Sequence, residues 1–145
     1  IKKFRDLWPG KLIIKGIMST EDAEQAVILG ADAIVVSNHG GRQLDSCASS
    51  VSALIEIKKN LGKKGVELII DGGIRNGKDV LKIKALGASM GMIGRPYLYG
   101  LGAGGEEGVL RVLEILHEQL DLTMALCGHR DINTVDLSIL KKSTV

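Results

Sequence analysis

Four groups of polar and glycine residues in this sequence have types and spacing that suit catalysis or anion binding. They are Lys15, the string Ser37-Asn38-His39-Gly40-Gly41-Arg42, the string Asp71-Gly72-Gly73-Ile74-Arg75, and the string Gly94-Arg95-Pro96. Each group stands at the end of a short apolar run. In folds that alternate strands and helices, functional groups collect where parallel strands end. We therefore expect the four groups to share one edge of a sheet.

His39 and Arg42 are the pair with the most specific chemistry. An arginine fixed three residues after a histidine can hold a carboxylate by two parallel hydrogen bonds, and a nearby imidazole can accept a proton. Together the two side chains suit a small acid that loses a proton next to its carboxylate. The alternative is that Gly40 and Gly41 mark an ordinary turn that carries a structural histidine. From the residue types alone, both interpretations stay open.

The two later groups have the composition of a phosphate site. Gly72 and Gly73 let the backbone approach a ligand closely, and Arg75 adds a forked set of donors. Gly94 and Arg95 then open a helical turn, whose free amide groups favour an anion. Barrel enzymes commonly bind phosphate in the loops after their last two strands. Turn chemistry with surface arginines is the alternative interpretation.

Lys15 and the two cysteines complete the candidates. The positive charge of Lys15 suits an anionic ring or an enolate, although a lysine with a buried stem at the surface explains the residue as well. Cys47 and Cys127 are far apart and lack the spacing of metal ligands or of a disulfide framework. The sequence therefore predicts no metal site and a reducing, cytoplasmic setting.

The elements that position these groups alternate between strand and helix. Apolar runs predict strands over 12–15, 33–37, 67–71 and 90–94. Helical spacing predicts helices over 20–29, 50–61, 77–86 and 106–126. Strands that alternate with helices of about ten residues indicate βαβ units around a parallel sheet. The chain, which begins Ile-Lys-Lys-Phe-Arg with no signal peptide pattern, is expected to run directly into the first strand.

The sequence also repeats itself at an offset of 57 residues. Gly16 recurs as Gly73, Asp22 as Asp79, and the string Leu29-Gly30-Ala31 as Leu86-Gly87-Ala88. Two tandem βαβα units fit half of an eight-stranded (β/α) barrel better than they fit a solenoid of short helical repeats. We therefore expect residues 1–145 to form one partial domain. Half of a barrel leaves two sheet edges open, so a further half or self-association is expected to close it.

Composition excludes several other functions. The net charge of +2 and the 3% of aromatic residues argue against a nucleic-acid surface. Hydrophobic residues at 45% are ordinary for a globular protein, and no apolar stretch approaches the ~20 residues that cross a bilayer. The expected partner is accordingly a small molecule rather than nucleic acid.

Residues 37–45, Ser37-Asn38-His39-Gly40-Gly41-Arg42-Gln43-Leu44-Asp45, resemble the FMN-dependent α-hydroxy-acid dehydrogenases and oxidases, which act on lactate, glycolate or mandelate. The strings that begin at Asp71 and Ile93, and the Trp8-Pro9-Gly10 string, agree with this resemblance. It extends from residue 1 to about residue 140. The resemblance implies a (β/α)8 TIM barrel, of which this chain would supply strands five to eight, and it implies FMN as the cofactor.

The resemblance also implies a role for each matching residue. His39 would be the base that takes a proton from the substrate, and Arg42 would hold its carboxylate. Lys15 would lie by the N1/O2 edge of the flavin. The remaining FMN contacts would come from Ser37, Asp71, Gly72, Gly73, Arg75, Gly94 and Arg95.

What the resemblance implies for function is oxidation of a small L-2-hydroxy acid to its keto acid. Lactate is the first expectation for the substrate, and glycolate and mandelate are the alternatives. Because only half of the barrel is accounted for, the 145 residues alone are expected to bind FMN weakly and to turn over little or not at all. A half-barrel that keeps only a phosphate or FMN-phosphate site is the competing hypothesis. Association with the inner face of a membrane, known among relatives, stays open.

Overall fold

The strands of this chain form a single parallel sheet. The computed structural model describes residues 1–61 and 65–141. Within these residues the strands are β1 (Ile13–Ile17), β2 (Ala33–Val36), β3 (Glu67–Asp71) and β4 (Met90–Met92). They pair in chain order, and every pair is parallel. The predicted α/β class is confirmed, and the strand ends differ from the predicted ones by no more than two residues.

Five α-helices are present in the described part of the chain. They are α1 (Lys2–Leu7), α2 (Thr20–Ile28), α3 (Ser50–Leu61), α4 (Gly77–Ala85) and α5 (Arg95–Leu126), with 3-10 turns at His39–Gly41, Ile132–Thr134 and Leu137–Ile139. Helix α5 begins eleven residues before the predicted start at residue 106. It is broken at Gly104 and at Gly105, whose φ of 59° is left-handed. The predicted turn at Gly94-Arg95 and the predicted long helix are therefore the two arms of one interrupted helix.

The prediction that the chain runs directly into the first strand was wrong, because helix α1 comes first. This helix has only six residues, which is short for a pattern to be recognised in a sequence, and its apolar residues Phe4 and Leu7 are exposed. Polar contacts hold it instead. The Arg5 guanidinium donates to the Gly30 carbonyl at 3.2 Å and to Asp32 Oδ2 at 2.9 Å.

The 57-residue repeat corresponds to repeated local structure. Ser19 and Asn76 cap α2 and α4, and each side chain accepts a hydrogen bond from the backbone N–H of the third helical residue, at 3.1 and 3.0 Å. Such caps satisfy donors that the first turn of a helix leaves free. After each helix comes a glycine with positive φ, Gly30 at 87° and Gly87 at 94°. The repeat therefore reflects two helices with the same start and stop chemistry.

The chain divides into two compact units. The first comprises Ile1–Gly72 with Ala88–Met92, and holds the sheet with helices α1 to α3. Helices α2 and α3 contact the strands. The fully buried residues Ile34, Val36, Leu54, Ile57 and Ile70 come from strands β2 and β3 and helix α3. The core of this unit thus lies where β2 and β3, the two central strands, meet the helices.

The second unit comprises Gly73–Gly87 with Ile93–Val145 and is helical. Helices α4 and α5 pack closely, because a Cβ atom on Gly77 would lie 2.1 Å from the backbone nitrogen of Leu120. Leu81, Ala85 and Val135 form the buried cluster of this unit. No helix in the described part of the chain combines the length and hydropathy needed to cross a membrane.

Candidate active site

Three of the sequence-predicted residues meet at the carboxyl ends of β1, β2 and β3. The Lys15 ammonium donates to Ser37 Oγ at 2.8 Å and to Asp71 Oδ2 at 2.5 Å. Ser37 is buried, whereas the Lys15 and Asp71 side chains are 38% and 18% exposed. The second carboxylate oxygen of Asp71, Oδ1, is buried and accepts no hydrogen bond within residues 1–61 and 65–141. The cluster thus combines a cation, an anion and an unused acceptor.

Strand register explains why these three side chains meet. Lys15 pairs with Val35, and Val35 pairs with Ile69. Because side chains alternate along a strand, Ser37 shares the face of Val35, and Asp71 shares the face of Ile69. The register of β1 against β2 then shifts between Lys15 and Ile17. This irregularity falls at Gly16, whose φ of 97° suits glycine and few other residues.

His39 stands on a tight turn directly after β2. Its backbone N–H donates to Ser37 Oγ at 3.1 Å, and its own φ is 55°. The Asn38 side chain shapes the turn, because its Oδ1 accepts from the Gly40 N–H at 3.0 Å and its Nδ2 donates to the Ala48 carbonyl at 3.2 Å. A positive φ at a non-glycine residue is uncommon and often marks a functional turn. Asn38 therefore defines the backbone that carries His39.

The imidazole of His39 and the guanidinium of Arg42 both face solvent. His39 is exposed and lies near Gly16, since a Cβ atom added there would be 3.4 Å from His39 Cε1. Arg42 is exposed and makes no ion pair with any residue in the described ranges. An imidazole that can accept a proton and an arginine with unused donors are what binding a carboxylic acid requires.

The candidate phosphate residues Gly73, Arg75, Gly94 and Arg95 belong to the second unit. The Arg75 backbone N–H donates to Asp79 Oδ2 at 3.0 Å, so the carboxylate that follows the Asn76 cap holds the loop before α4. A Cβ atom on Gly73 or Gly94 would meet nothing within 4 Å, so both backbones are open to a ligand. Pro96 occupies the first turn of α5, where its missing N–H is no loss.

The sequence analysis missed the positioning role of several residues. Asn38 was named as part of the string that begins at Ser37, and an asparagine two residues before the Gly40-Gly41 pair is typical of a turn. Gly16 at a strand end was noted only as part of the repeat. Ser50 left no recognisable signal. Its hydroxyl accepts from the Asn38 N–H at 3.4 Å and would lie 3.1 Å from a Cβ on Gly72. These residues hold the backbone near the cluster but carry no reactive group themselves.

A second polar cluster lies at the opposite, amino-terminal edge of the strands. Asp32 accepts hydrogen bonds from the Leu12 N–H at 2.8 Å, from Lys11 at 3.0 Å and from Arg5 at 2.9 Å. The Leu12 N–H, Lys11 and then Arg5 lower the pKa of the Asp32 carboxyl from 3.8 to about 2. A cavity of 470 Å³ beside these residues is also lined by Pro9 and Gly10. The charges of Asp32, Lys11 and Arg5 are paired with one another, so this cluster has the structural role of anchoring α1.

The described ranges hold two free cysteines and no group of side chains that could hold a metal ion. Cys47 and Cys127 are both exposed and unpaired with each other. No group of three or more His, Cys, Asp or Glu residues with metal-binding geometry occurs among the residues described.

Comparison with known proteins connects this geometry to one family. The family model for FMN-dependent dehydrogenases matches residues 1–142. L-lactate dehydrogenase of Caulobacter vibrioides is 46% identical over 140 residues, which are 97% of this chain and 36% of that protein. 2-Hydroxyacid oxidase of Dictyostelium discoideum is 51% identical over 129 residues, 89% of this chain and 33% of that protein. The chain thus spans about a third of the length of these relatives.

Solved structures agree with the sequence relatives. A soluble mutant of the membrane-associated (S)-mandelate dehydrogenase from Pseudomonas putida is 43% identical to this chain, with a TM-score of 0.92. The match covers 98% of this chain and 40% of that structure. A mandelate oxidase variant carrying an FMN adduct, also 43% identical, gives a TM-score of 0.88 over 92% of this chain and 42% of its own. The chain therefore belongs to the FMN-dependent dehydrogenases, oxidoreductases of α-hydroxy acids that use FMN as their cofactor.

Proposed function

We propose that this chain supplies the catalytic part of an enzyme that oxidises a small L-2-hydroxy acid, lactate in the first instance, to the 2-keto acid. The observation that carries the proposal is the cluster of Lys15, Ser37 and Asp71 at the carboxyl edge of a parallel sheet, with His39 hydrogen-bonded into it through its backbone. In open and closed α/β sheets alike, ligands bind at this edge. A cation, an unused acceptor and an exposed imidazole there match the needs of a flavin and an acid substrate.

Each unit of the chain, taken by itself, holds residues that fit one part of FMN. In the first unit, the buried and unused Asp71 Oδ1 suits a hydroxyl donor such as those of a ribityl chain, and the Lys15 ammonium suits the polar edge of the flavin ring. In the second unit, open backbone at Gly73 and Gly94 with the arginine side chains of the same loops suits a phosphate group. When bound, FMN accepts the two electrons that leave the substrate carbon.

His39 and Arg42 would handle the substrate. The Arg42 guanidinium binds the carboxylate and thereby places the hydroxyl-bearing carbon, and the His39 imidazole accepts a proton from that substrate. Two orders of events are compatible with this arrangement. His39 takes the α-proton in one order and the hydroxyl proton in the other. In both orders the imidazole ends the step protonated, and in both Lys15 offsets the negative charge that reaches the flavin.

We further propose that the 145 residues are strands five to eight of a (β/α)8 barrel and form a single partial domain. The two edge strands support this proposal, because Ile13 of β1 is 50% exposed and Met90 of β4 is 59% exposed. Exposed apolar side chains and unpaired backbone on both edges of a parallel sheet are unusual unless further strands cover them. A half-barrel closed by a second copy of itself, with only a phosphate site retained, is the competing proposal that the same edges support.

The substrate and the setting of the whole protein are part of the proposal. Relatives act on lactate and mandelate, and we place lactate first with glycolate and mandelate as alternatives. A 43% identical (S)-mandelate dehydrogenase is a monotopic membrane protein. We therefore propose a cytoplasmic protein that works free or at the inner face of a membrane. Assays should offer both oxygen and a quinone-like dye as electron acceptors.

The proposal is tested by comparing His39→Gln with the unaltered sequence in the full-length protein that contains this chain. The protein should be yellow from bound FMN and should reduce a dye in the presence of L-lactate. The variant should stay yellow and lose turnover by about 10³-fold or more, because only the proton acceptor is removed. A variant that retains most of the activity would refute the role of His39.

The isolated 145 residues distinguish the proposal from its competitor. Purified alone, they should bind FMN weakly and show little or no lactate-dependent dye reduction. A homodimer that binds phosphate but carries no flavin absorbance would favour the non-catalytic half-barrel. Robust turnover by the isolated chain would contradict the view that it holds only part of the site.

A further inference from the structure

The two oxygens of the Asp71 carboxylate have different surroundings. Oδ2 accepts from the Lys15 ammonium at 2.5 Å, and Oδ1 is buried without a hydrogen-bond donor in the described residues. A buried acceptor without a donor costs free energy, which is tolerated where a ligand or a function repays it. Asp71 therefore does more than fill the end of β3.

The Lys15 ammonium has one more N–H donor than the two acceptors that it contacts. It carries three N–H groups, and Ser37 Oγ and Asp71 Oδ2 accept two of them. Tetrahedral geometry at the nitrogen then fixes the direction of the third. The two acceptors stand on neighbouring strands, β2 and β3, so the direction of the third N–H follows from the sheet itself.

The two acceptors differ in charge. Ser37 is neutral and buried, whereas Asp71 is the ionic partner of Lys15. Replacement of Ser37 therefore changes how the ammonium is held, while replacement of Asp71 changes how much net positive charge the cluster presents. In a partly desolvated pair the second effect is the larger one, because charges interact more strongly when solvent is excluded.

We propose that Asp71 is a positioning residue that fixes the Lys15 ammonium and attenuates its charge, and that it thereby sets the midpoint potential of the bound flavin. This inference rests on the proposed function, in which Lys15 lies at the polar edge of the ring. A cation beside that edge favours the electron state of the flavin with more negative charge. Partial neutralisation of Lys15 by Asp71 lowers the midpoint potential relative to a free ammonium.

The test is a spectroelectrochemical titration of the FMN-loaded, full-length protein that contains this chain. Asp71→Asn keeps the shape and one acceptor but removes the charge. It should shift the two-electron equilibrium toward reduction about tenfold, which corresponds to about +30 mV. The matched control Ser37→Ala removes the neutral acceptor and should shift the same equilibrium less than about threefold, or about 15 mV. An unchanged potential in Asp71→Asn overturns the inference.

A double-variant cycle shows whether Asp71 acts through Lys15. In a Lys15→Met background, Asp71→Asn should shift the potential by much less than it does alone, because the charge that it attenuates is gone. An equal shift in both backgrounds would mean that Asp71 acts on the flavin directly, and would overturn the positioning role. Asp71→Glu keeps the charge and should restore a potential close to that of the unaltered protein.

If Asp71→Asn does not retain flavin, Asp71→Ser is titrated in its place. The midpoint potential should again rise, and an unchanged potential in Asp71→Ser overturns the inference.

Two outcomes separate this inference from the proposed function. If the unaltered protein itself binds no FMN, both the proposed function and the inference fail. If it binds FMN and oxidises L-lactate while the potential ignores Asp71, the inference alone fails.

Discussion

The imidazole of His39 lies beside Gly16, because a Cβ atom placed on Gly16 would be 3.4 Å from His39 Cε1. Gly16 lies near the end of strand β1 and His39 on the turn after β2, at the same edge of the sheet. Gly16 has a φ of 97° at the point where the β1–β2 register shifts. The absence of a side chain at Gly16 thus permits the backbone conformation at this register shift, beside His39.

Gly16→Ala should impair activity as well as stability. The positive φ is strained for alanine and should cost about 1–2 kcal/mol of the free energy of unfolding. The new methyl group would stand at ordinary van der Waals distance from His39 Cε1, 3.4 Å, but relaxation of the strained backbone should displace the adjacent Lys15. Displacement of a catalytic group typically lowers kcat by tenfold or more. Chemical denaturation and steady-state kinetics measure the two effects. Gly128→Ala is the control, with a φ of 76° and open space, and should lose stability with kcat unchanged.

Arg42 should matter for catalysis and not for folding. It is exposed and pairs with no carboxylate in the residues described, so Arg42→Ala should change the free energy of unfolding by less than about 0.5 kcal/mol. The same variant should lower kcat/KM for L-lactate by roughly 10²-fold or more, because a bidentate carboxylate contact is lost. Arg42→Lys should recover only part of the activity. Equal kinetics in Arg42→Ala and the unaltered protein would exclude Arg42 from substrate binding.

Asp32 should contribute a pH-dependent part of the stability. Its pKa in the folded state, about 2, lies below the ordinary value of 3.8. A lowered folded-state pKa means that the contribution is complete above about pH 4 and is lost as the pH falls toward 2. Asp32→Asn should therefore be less stable than the unaltered protein at pH 7, and the difference should shrink between pH 4 and pH 2.

Urea denaturation at a series of pH values measures this difference. Asp6→Asn, which alters an exposed carboxylate of α1, is the matched control. The effect that belongs to Asp32 is the difference between the two variants across the same window. A constant difference between Asp32→Asn and the unaltered protein would show that the hydrogen bonds to Asp32 do not depend on its charge.

The break in α5 should be sensitive to one methyl group. A Cβ on Gly108 would lie 1.9 Å from the Gly100 carbonyl oxygen, so the two arms of the helix touch through their backbones. Gly108→Ala should cost about 3 kcal/mol or more, at the upper end of overpacking effects. Gly102, in the first arm, has open space and an ordinary φ. Gly102→Ala should stabilise the protein by about 0.5–1 kcal/mol through helix propensity. Thermal or chemical unfolding measures both.

Much of the fold and part of the candidate site could be predicted from the sequence. The strands and the caps at Ser19 and Asn76 depend on local chemistry, which a sequence displays directly. Helix α1 was missed because it has only six residues, although Phe4 and Leu7 have helical spacing. Its polar contacts could not be predicted, because Arg5 reaches residues 25 and more positions away. The first arm of α5 was predicted only as a turn, whereas the second arm follows the break at Gly104 and Gly105, where the helix over 106–126 was predicted.

The sequence by itself determined which functional groups this protein has and where its strands end and its loops begin. The string from Ser37 to Asp45 also determined the family, which the relatives confirm. Only the tertiary structure decided that Lys15, Ser37 and Asp71 meet, because that contact depends on the register of three parallel strands. It likewise decided that Gly16 lies beside His39. Residues 23 positions apart become neighbours only when backbone hydrogen bonds between strands align them.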